Sequence, residues 1–208
     1  RGFLETRMPT NRNIMKELTH SYMQGVIAFM RTDPRVWVDP DQWDVDKYAV
    51  NTPAGVVDLY TGEIHSPDSR TLVTKSTTVS PDFEMRTPLF DRLLSQAFAG
   101  DQEAAEYVVT GLGLSLIASQ DDQIFFMLNG PGGSGKGTLM NIAQGILGTN
   151  DTGYSGSIEA TAFIKGRAAG HPTEIARLWN KRMVVSSELP EHATLDTARL
   201  KNITGGDV

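Results

Sequence analysis

The clearest chemistry in the chain lies in one run: Gly130-Pro131-Gly132-Gly133-Ser134-Gly135-Lys136-Gly137-Thr138. Glycines let a backbone turn so that several N–H groups converge on phosphate oxygens, and a lysine in the same loop reaches the β- and γ-phosphates. Ahead of the loop stands Ile124-Phe125-Phe126-Met127-Leu128, an unbroken apolar run that predicts a strand buried on both faces. Behind it, Leu139 to Leu147 follows a helical pattern closed by Gly148, and that helix turns its positive end toward the phosphates. A flexible glycine-rich link is the plain alternative. Glycine at both required positions, the lysine, and the strand-then-helix context all favour phosphate binding.

One position departs from the usual pattern. The residue after the lysine is normally Ser or Thr, which holds Mg²⁺, but here it is Gly137 and the hydroxyl follows at Thr138. Thr138 therefore has open roles: metal ligand, α-phosphate contact, or the latter alone. Gly-Lys-Gly-Thr also resembles the loop of nucleotide monophosphate kinases, a competing reading. Against it, those enzymes place the loop near the N-terminus and carry an arginine-rich lid, which is not evident here. A second element ends at Glu188, fifty-two residues beyond Lys136. Lys181 to Glu188 reads as a buried strand ending in a carboxylate, and such a strand is expected beside the loop strand. Glu188 would then polarise an attacking water or orient the water shell of a Mg²⁺. The bland reading is a surface glutamate at a strand end; Glu191 is a weaker candidate.

Composition narrows the class. The 208 residues are 39% apolar and 21% charged, as in globular proteins. Cysteine is absent, excluding disulfides and thiolate metal sites, and the four histidines never approach metal-ligand spacing. The run at 124–128 is far too short to cross a bilayer, so no membrane partner and a cytoplasmic location are expected. The chain opens on Arg1, which points to an excised or processed piece. Net charge is −6, against a protein that coats nucleic acid with its whole surface. The distribution is uneven: −5 over residues 1–120, −3 over 121–159, and +2 over 160–208. Contact with DNA phosphates is thus expected to be local and to come from the last quarter.

The remaining elements read as follows. Met15, Leu18, Tyr22, Val26 and Phe29 recur at helical spacing, with Asn13 as a candidate cap and Asp33-Pro34 as the stop. Asp39, Asp41, Asp44 and Asp46 lack the glycine and glutamate of a calcium loop, so solvated acids between buried aromatics is the expectation. Residues 51–63 predict turn, short strand, turn, and Leu72–Val79 a further strand. Thr87-Pro88 opens one helix that ends at Gly100, and Asp101 caps the next. In that second helix Gly111 and Gly113 imply close packing.

Beyond Glu188 comes Leu195 to Asp207, including Lys201-Asn202-Ile203-Thr204-Gly205-Gly206-Asp207. Together with Glu188, this resembles the superfamily 3 helicases of the phage and plasmid primase–helicase family, which are AAA+ type ATPases. Asn51 to Glu63 resembles the small domain preceding the helicase in that family and in poxvirus primase–helicases. Gly111 to Leu116 and His171 to Arg182 fit the same pattern. The resemblance runs from about residue 35 to the end.

The resemblance implies an α/β fold: an incomplete AAA+ type P-loop core preceded by a small mixed α+β and helical part. The expected divisions are 1–85, 86–120 and 121–208. It implies an ATP-dependent DNA helicase motor using ATP and Mg²⁺, with Gly130–Thr138 binding nucleotide, Lys136 and Glu188 serving hydrolysis, and Thr138 and Glu188 near the metal. Lys201 and Arg199 would face single-stranded DNA in the channel of a ring of identical subunits, most simply a hexamer. A primase domain and other replication proteins are further implied partners. A solvated helix end is the plainer reading of Lys201. Trp179 and Tyr154 are expected as rim or buried aromatics rather than base-stacking ones. The asparagine-bearing strand and the arginine that such motors lend to a neighbour's site would lie past Val208, so slow hydrolysis is expected of this chain. A nucleotide or small-molecule kinase, and an ATP-gated DNA-binding module that does not unwind, are the competing functions.

Overall fold

A computed structural model describes residues 19–166, 175–186 and 188–205. The chain divides into two compact units, Arg1–Gln42 and Trp43–Val208. In the first, helix α1 (His20–Met30) begins at Thr19, whose hydroxyl accepts from the Tyr22 N–H. The expected earlier start at Asn13, with Met15 and Leu18, lies outside the described residues. The Asp33 N–H donates to the Met30 carbonyl just past the helix end, where the sequence placed the stop.

The second unit is a mixed α/β arrangement with two small sheets. Strands β1 (Ala49–Thr52), β2 (Gly55–Asp58) and β3 (Ile64–His65) form an antiparallel meander. The predicted turn and short strand at 51–63 thus form, Val50 pairing with Val57. Gly55 sits at φ +141°, and a Cβ there would fall 2.2 Å from the His65 carbonyl oxygen, so only glycine lets β3 approach. Helix α2 (Pro88–Ala97) starts with proline in its first turn. Thr87 precedes it without a capping bond to the backbone. Helix α3 (Gln102–Leu114) is capped by Asp101, whose carboxylate accepts from the Ala104 N–H at 3.0 Å. Helix α4 (Lys136–Leu147) follows the glycine loop and ends at Gly148, as its pattern predicts.

The chain turns back at once after α4. The Tyr154 N–H donates to the Leu147 carbonyl and the Ser155 N–H to that of Gly148. A Cβ on Gly153 would lie 2.2 Å from the Gly148 oxygen, so this reversal requires glycine. Strand β4 (Ser155–Ile158) then pairs in parallel with β5 (Met183–Ser186), Ser155 opposite Met183. Helix α5 (Thr197–Gly205) closes the described chain. No helix among the described residues is long and apolar enough to cross a membrane.

Three expectations need correction. Ile124–Leu128 is not a strand, and no backbone hydrogen bond joins it to a neighbour among the described residues. Instead of lying buried on both faces, Ile124, Phe125 and Met127 are more than half exposed. Phe126 turns onto α3 and meets the Tyr107 ring edge-on at 5.9 Å between centroids. β5 therefore has β4 as its ladder partner rather than the run before the loop. Leu72–Val79 is likewise not a strand, because its amides go to separate partners: Ser76 to Thr152, Thr77 to Asn51, and Thr78 to Ile146. Finally, the aspartates at 39–46 do not separate buried aromatics. Trp37 is 66% exposed and Trp43 39%.

One core joins these pieces. Val50 and Val57 of the antiparallel sheet pack with Leu147, Tyr154 and Met183. Tyr154, 1% exposed, donates its hydroxyl to the Lys75 carbonyl (3.4 Å) and accepts from the Asn51 N–H (2.9 Å). The Arg182 guanidinium lies 4.7 Å from the Tyr154 ring centroid and donates to the carbonyls of Ala49 (2.7 Å) and Leu116. Burial pulls its pKa down, opposed by Tyr154, Asp44 and Asp46. Arg182→Ala strands two part-buried carbonyls and one ring face, so we expect a loss of about 3 kcal/mol. Tyr154→Phe keeps the ring and removes only the hydroxyl's bonds, for about 1 kcal/mol. Urea denaturation of the two variants checks the ordering; equal losses would contradict it.

Candidate phosphate-binding site

The loop between Met127 and α4 is shaped by two glycines. Gly133 has φ +77° and Gly135 φ +87°, the left-handed region that side chains disfavour. Gly135 occupies the N-cap position of α4 without offering a side-chain cap. The first bond of the helix runs from the Leu139 N–H to the Gly135 carbonyl at 2.9 Å. The N–H groups of Lys136, Gly137 and Thr138 consequently have no acceptor within the helix, the arrangement that suits an anion. The Lys136 Nζ folds back over the loop, 2.8 Å from the Gly130 oxygen, 3.0 Å from that of Pro131 and 3.0 Å from the Ser134 Oγ.

Two helices brace this loop. A Cβ on Gly135 would come 3.2 Å from Leu93 Cδ1 and 3.7 Å from Ala97 Cβ, so α2 sits against the loop at its turn into α4. Upstream, Phe126 presses on Gly111 of α3, where a Cβ would meet the ring at 2.5 Å. Gly111 thus has the close packing that the sequence implied. Gly113 does not; nothing lies within 4 Å of a Cβ there.

The other predicted site residues are more dispersed. Gly137 and Thr138 are exposed in the first turn of α4, and Gly137 has open space where a side chain would go. Glu188 follows β5 and is exposed, with no hydrogen bond or ion pair to the loop among the described residues. Glu191 is exposed too. Lys201 is exposed on α5, whereas Arg199 is half-buried and donates to the Ala162 carbonyl, which ties α5 to the turn at Ala160–Phe163. Tyr154 is a core residue, and Trp179 is 77% exposed rather than buried. The described residues contain no cluster of three or more His, Asp or Glu able to hold a metal ion. The loop fits a phosphate chain through its free amides and lysine; Thr138 and Glu188 offer oxygen ligands of the kind Mg²⁺ takes, but no contact draws them together.

Residues 5–99 match the family model described as D5 N terminal like. That region is found on the N-terminal side of primase–helicase proteins of phages and plasmids. The match takes in β1 to β3 and α2, the helix that Gly135 touches, and stops short of the glycine loop. It covers the Asn51–Glu63 segment on which part of the sequence resemblance rests.

Sequence reasoning did not anticipate the bracing residues. Phe126 carries no signal beyond its place in an apolar run, and Arg182 none beyond its charge. The signal for the partner of Phe126 was there in Gly111. Gly111→Ala should displace Phe126 and lower the melting temperature by several degrees, about 1–3 kcal/mol. Gly113→Ala should leave the stability unchanged or raise it, by up to about 1 kcal/mol. A thermal melt of both variants reads the contrast.

Proposed function

We propose that the chain belongs to the motor of a DNA-replication protein, an ATP-dependent helicase that couples hydrolysis to movement along single-stranded DNA. The observation that carries this reading is the glycine loop entering α4 with its lysine, on the C-terminal side of a region matching the D5 N terminal like model and separated from it by α3. In this reading Gly130–Thr138 hold ATP, and the N–H groups of Lys136, Gly137 and Thr138 neutralise phosphate charge together with the Lys136 amine. Mg²⁺, bound with the nucleotide, supplies charge neutralisation across the phosphates. Glu188 serves as the carboxylate that orients the attacking water, with Thr138 on the metal side.

DNA contact falls to Lys201 on exposed α5, repeated around a ring of subunits so that one basic residue per chain becomes a ring of charge. Arg199 is engaged with Ala162 and contributes less. One observation favours a second reading: Gly137 follows the lysine, as in kinases that phosphorylate nucleotides.

Phosphate release from ATP should rise on adding single-stranded DNA, with AMP present as a rival acceptor. Formation of ADP from AMP without any response to DNA would sink the motor reading in favour of the kinase. ATP-driven ring formation without strand displacement would instead support the non-unwinding module. Lys136→Ala should abolish nucleotide binding; an unchanged affinity would remove the loop from the site. Lys201→Ala should weaken DNA binding several-fold at low salt and flatten its salt dependence, as read by fluorescence anisotropy. An unmoved DNA affinity would exclude Lys201 as the contact.

A further inference from the structure

Lys136 is satisfied entirely by its own loop. An ammonium has three N–H donors, and here they meet the Gly130 carbonyl, the Pro131 carbonyl and the Ser134 hydroxyl, all within 3.0 Å. A Cβ on Gly130 would lie 3.5 Å from Ser134 Oγ and 3.8 Å from Lys136 Nζ, so these groups share one small space. The lysine cannot serve a phosphate oxygen without giving up at least one of these bonds. Two of the acceptors are backbone oxygens that no side-chain change removes. The third is a hydroxyl.

We propose that Ser134 is a positioning residue that latches the Lys136 amine in the ligand-free loop and thereby lowers the loop's affinity for a polyphosphate. The proposal rests on the nucleotide-binding reading of this loop. A ligand that needs the released lysine sees only the released fraction, so whatever holds the amine raises the apparent dissociation constant by that factor. A hydrogen bond from a charged donor accounts for a several-fold change in such a fraction. The competing role for Ser134 is a direct bond from its hydroxyl to phosphate, which predicts the opposite sign on removal.

The test uses the full chain with Ser134→Ala and Ser134→Thr beside the unaltered protein, and two readouts. One is the rate at which an amine-acylating reagent labels Lys136 without nucleotide, followed by mass spectrometry. The other is ATP affinity by calorimetry. Ser134→Ala should speed labelling about threefold or more and tighten ATP binding about three- to tenfold. Ser134→Thr, which restores a hydroxyl, should bring both back toward the original values. Unchanged labelling in Ser134→Ala overturns the latch. Faster labelling with weaker ATP binding overturns its opposition to the ligand, because the hydroxyl then contacts phosphate. If labelling speeds up as expected while neither protein binds ATP, the latch stands and the nucleotide reading falls.

Discussion

The Arg182 guanidinium occupies the point where three stretches of chain converge. It reaches the Ala49 carbonyl at the start of β1, the Leu116 carbonyl just past α3, and the face of Tyr154, which leads into β4. Its own backbone N–H donates to the Tyr154 carbonyl at 2.7 Å, one residue ahead of β5. A planar cation with several donors in a fixed fork is the side chain that can satisfy two separate carbonyls and stack on a ring at once. Lysine offers neither the plane nor the spread. The burial that disfavours its charge is offset by those bonds and by Asp44 and Asp46 nearby.

That convergence explains why the antiparallel sheet and the parallel pair share a core instead of packing separately. Four-residue strands bury little by themselves, and Val50 and Val57 complete their cover with Leu147, Tyr154 and Met183. The polar contacts run the same way. Lys181 donates to the carbonyls of Asn150 and Gly153, holding the reversal after α4, and burial and the nearby Lys75 both push its pKa down. Thr78 donates its hydroxyl to the Gly145 carbonyl, so the segment after the antiparallel sheet is fastened to the last turn of α4.

Helix α4 therefore has two ends with different duties. Its C-terminal end is fixed by Leu147 in the core and by Thr78. Its N-terminal end presents unbonded amides and Lys136 to the loop. A loop that must bend sharply and hold several N–H groups in one direction is positioned best when the helix it feeds cannot shift. Leu93 and Ala97 against Gly135, and Phe126 against Gly111, brace it from the other sides. The groups expected to complete the chemistry, Glu188 and Lys201, are both exposed. Those are placements that would let them meet a partner, whether nucleotide, DNA or a neighbouring subunit.

Local patterns were legible in the sequence wherever a residue's own backbone preference decides the outcome. Asp101 caps α3, proline opens α2, Gly148 ends α4, and the hairpin at Thr52–Gly55 forms where turn residues predicted it, because each choice is made within a few bonds. The glycine loop was legible for the same reason, since glycine is needed where φ is positive. Ladder partners were not. Ile124–Leu128 has strand composition, but a strand exists only when another chain segment offers its amides and carbonyls, and here Phe126 finds Gly111 and Tyr107 instead. Leu72–Val79 distributes its bonds among Asn51, Ile146 and Thr152 for the same cause. Nor does a sequence say whether a cation faces solvent or the core. Arg182 and Lys201 differ in what surrounds them, and that depends on contacts between residues far apart along the chain.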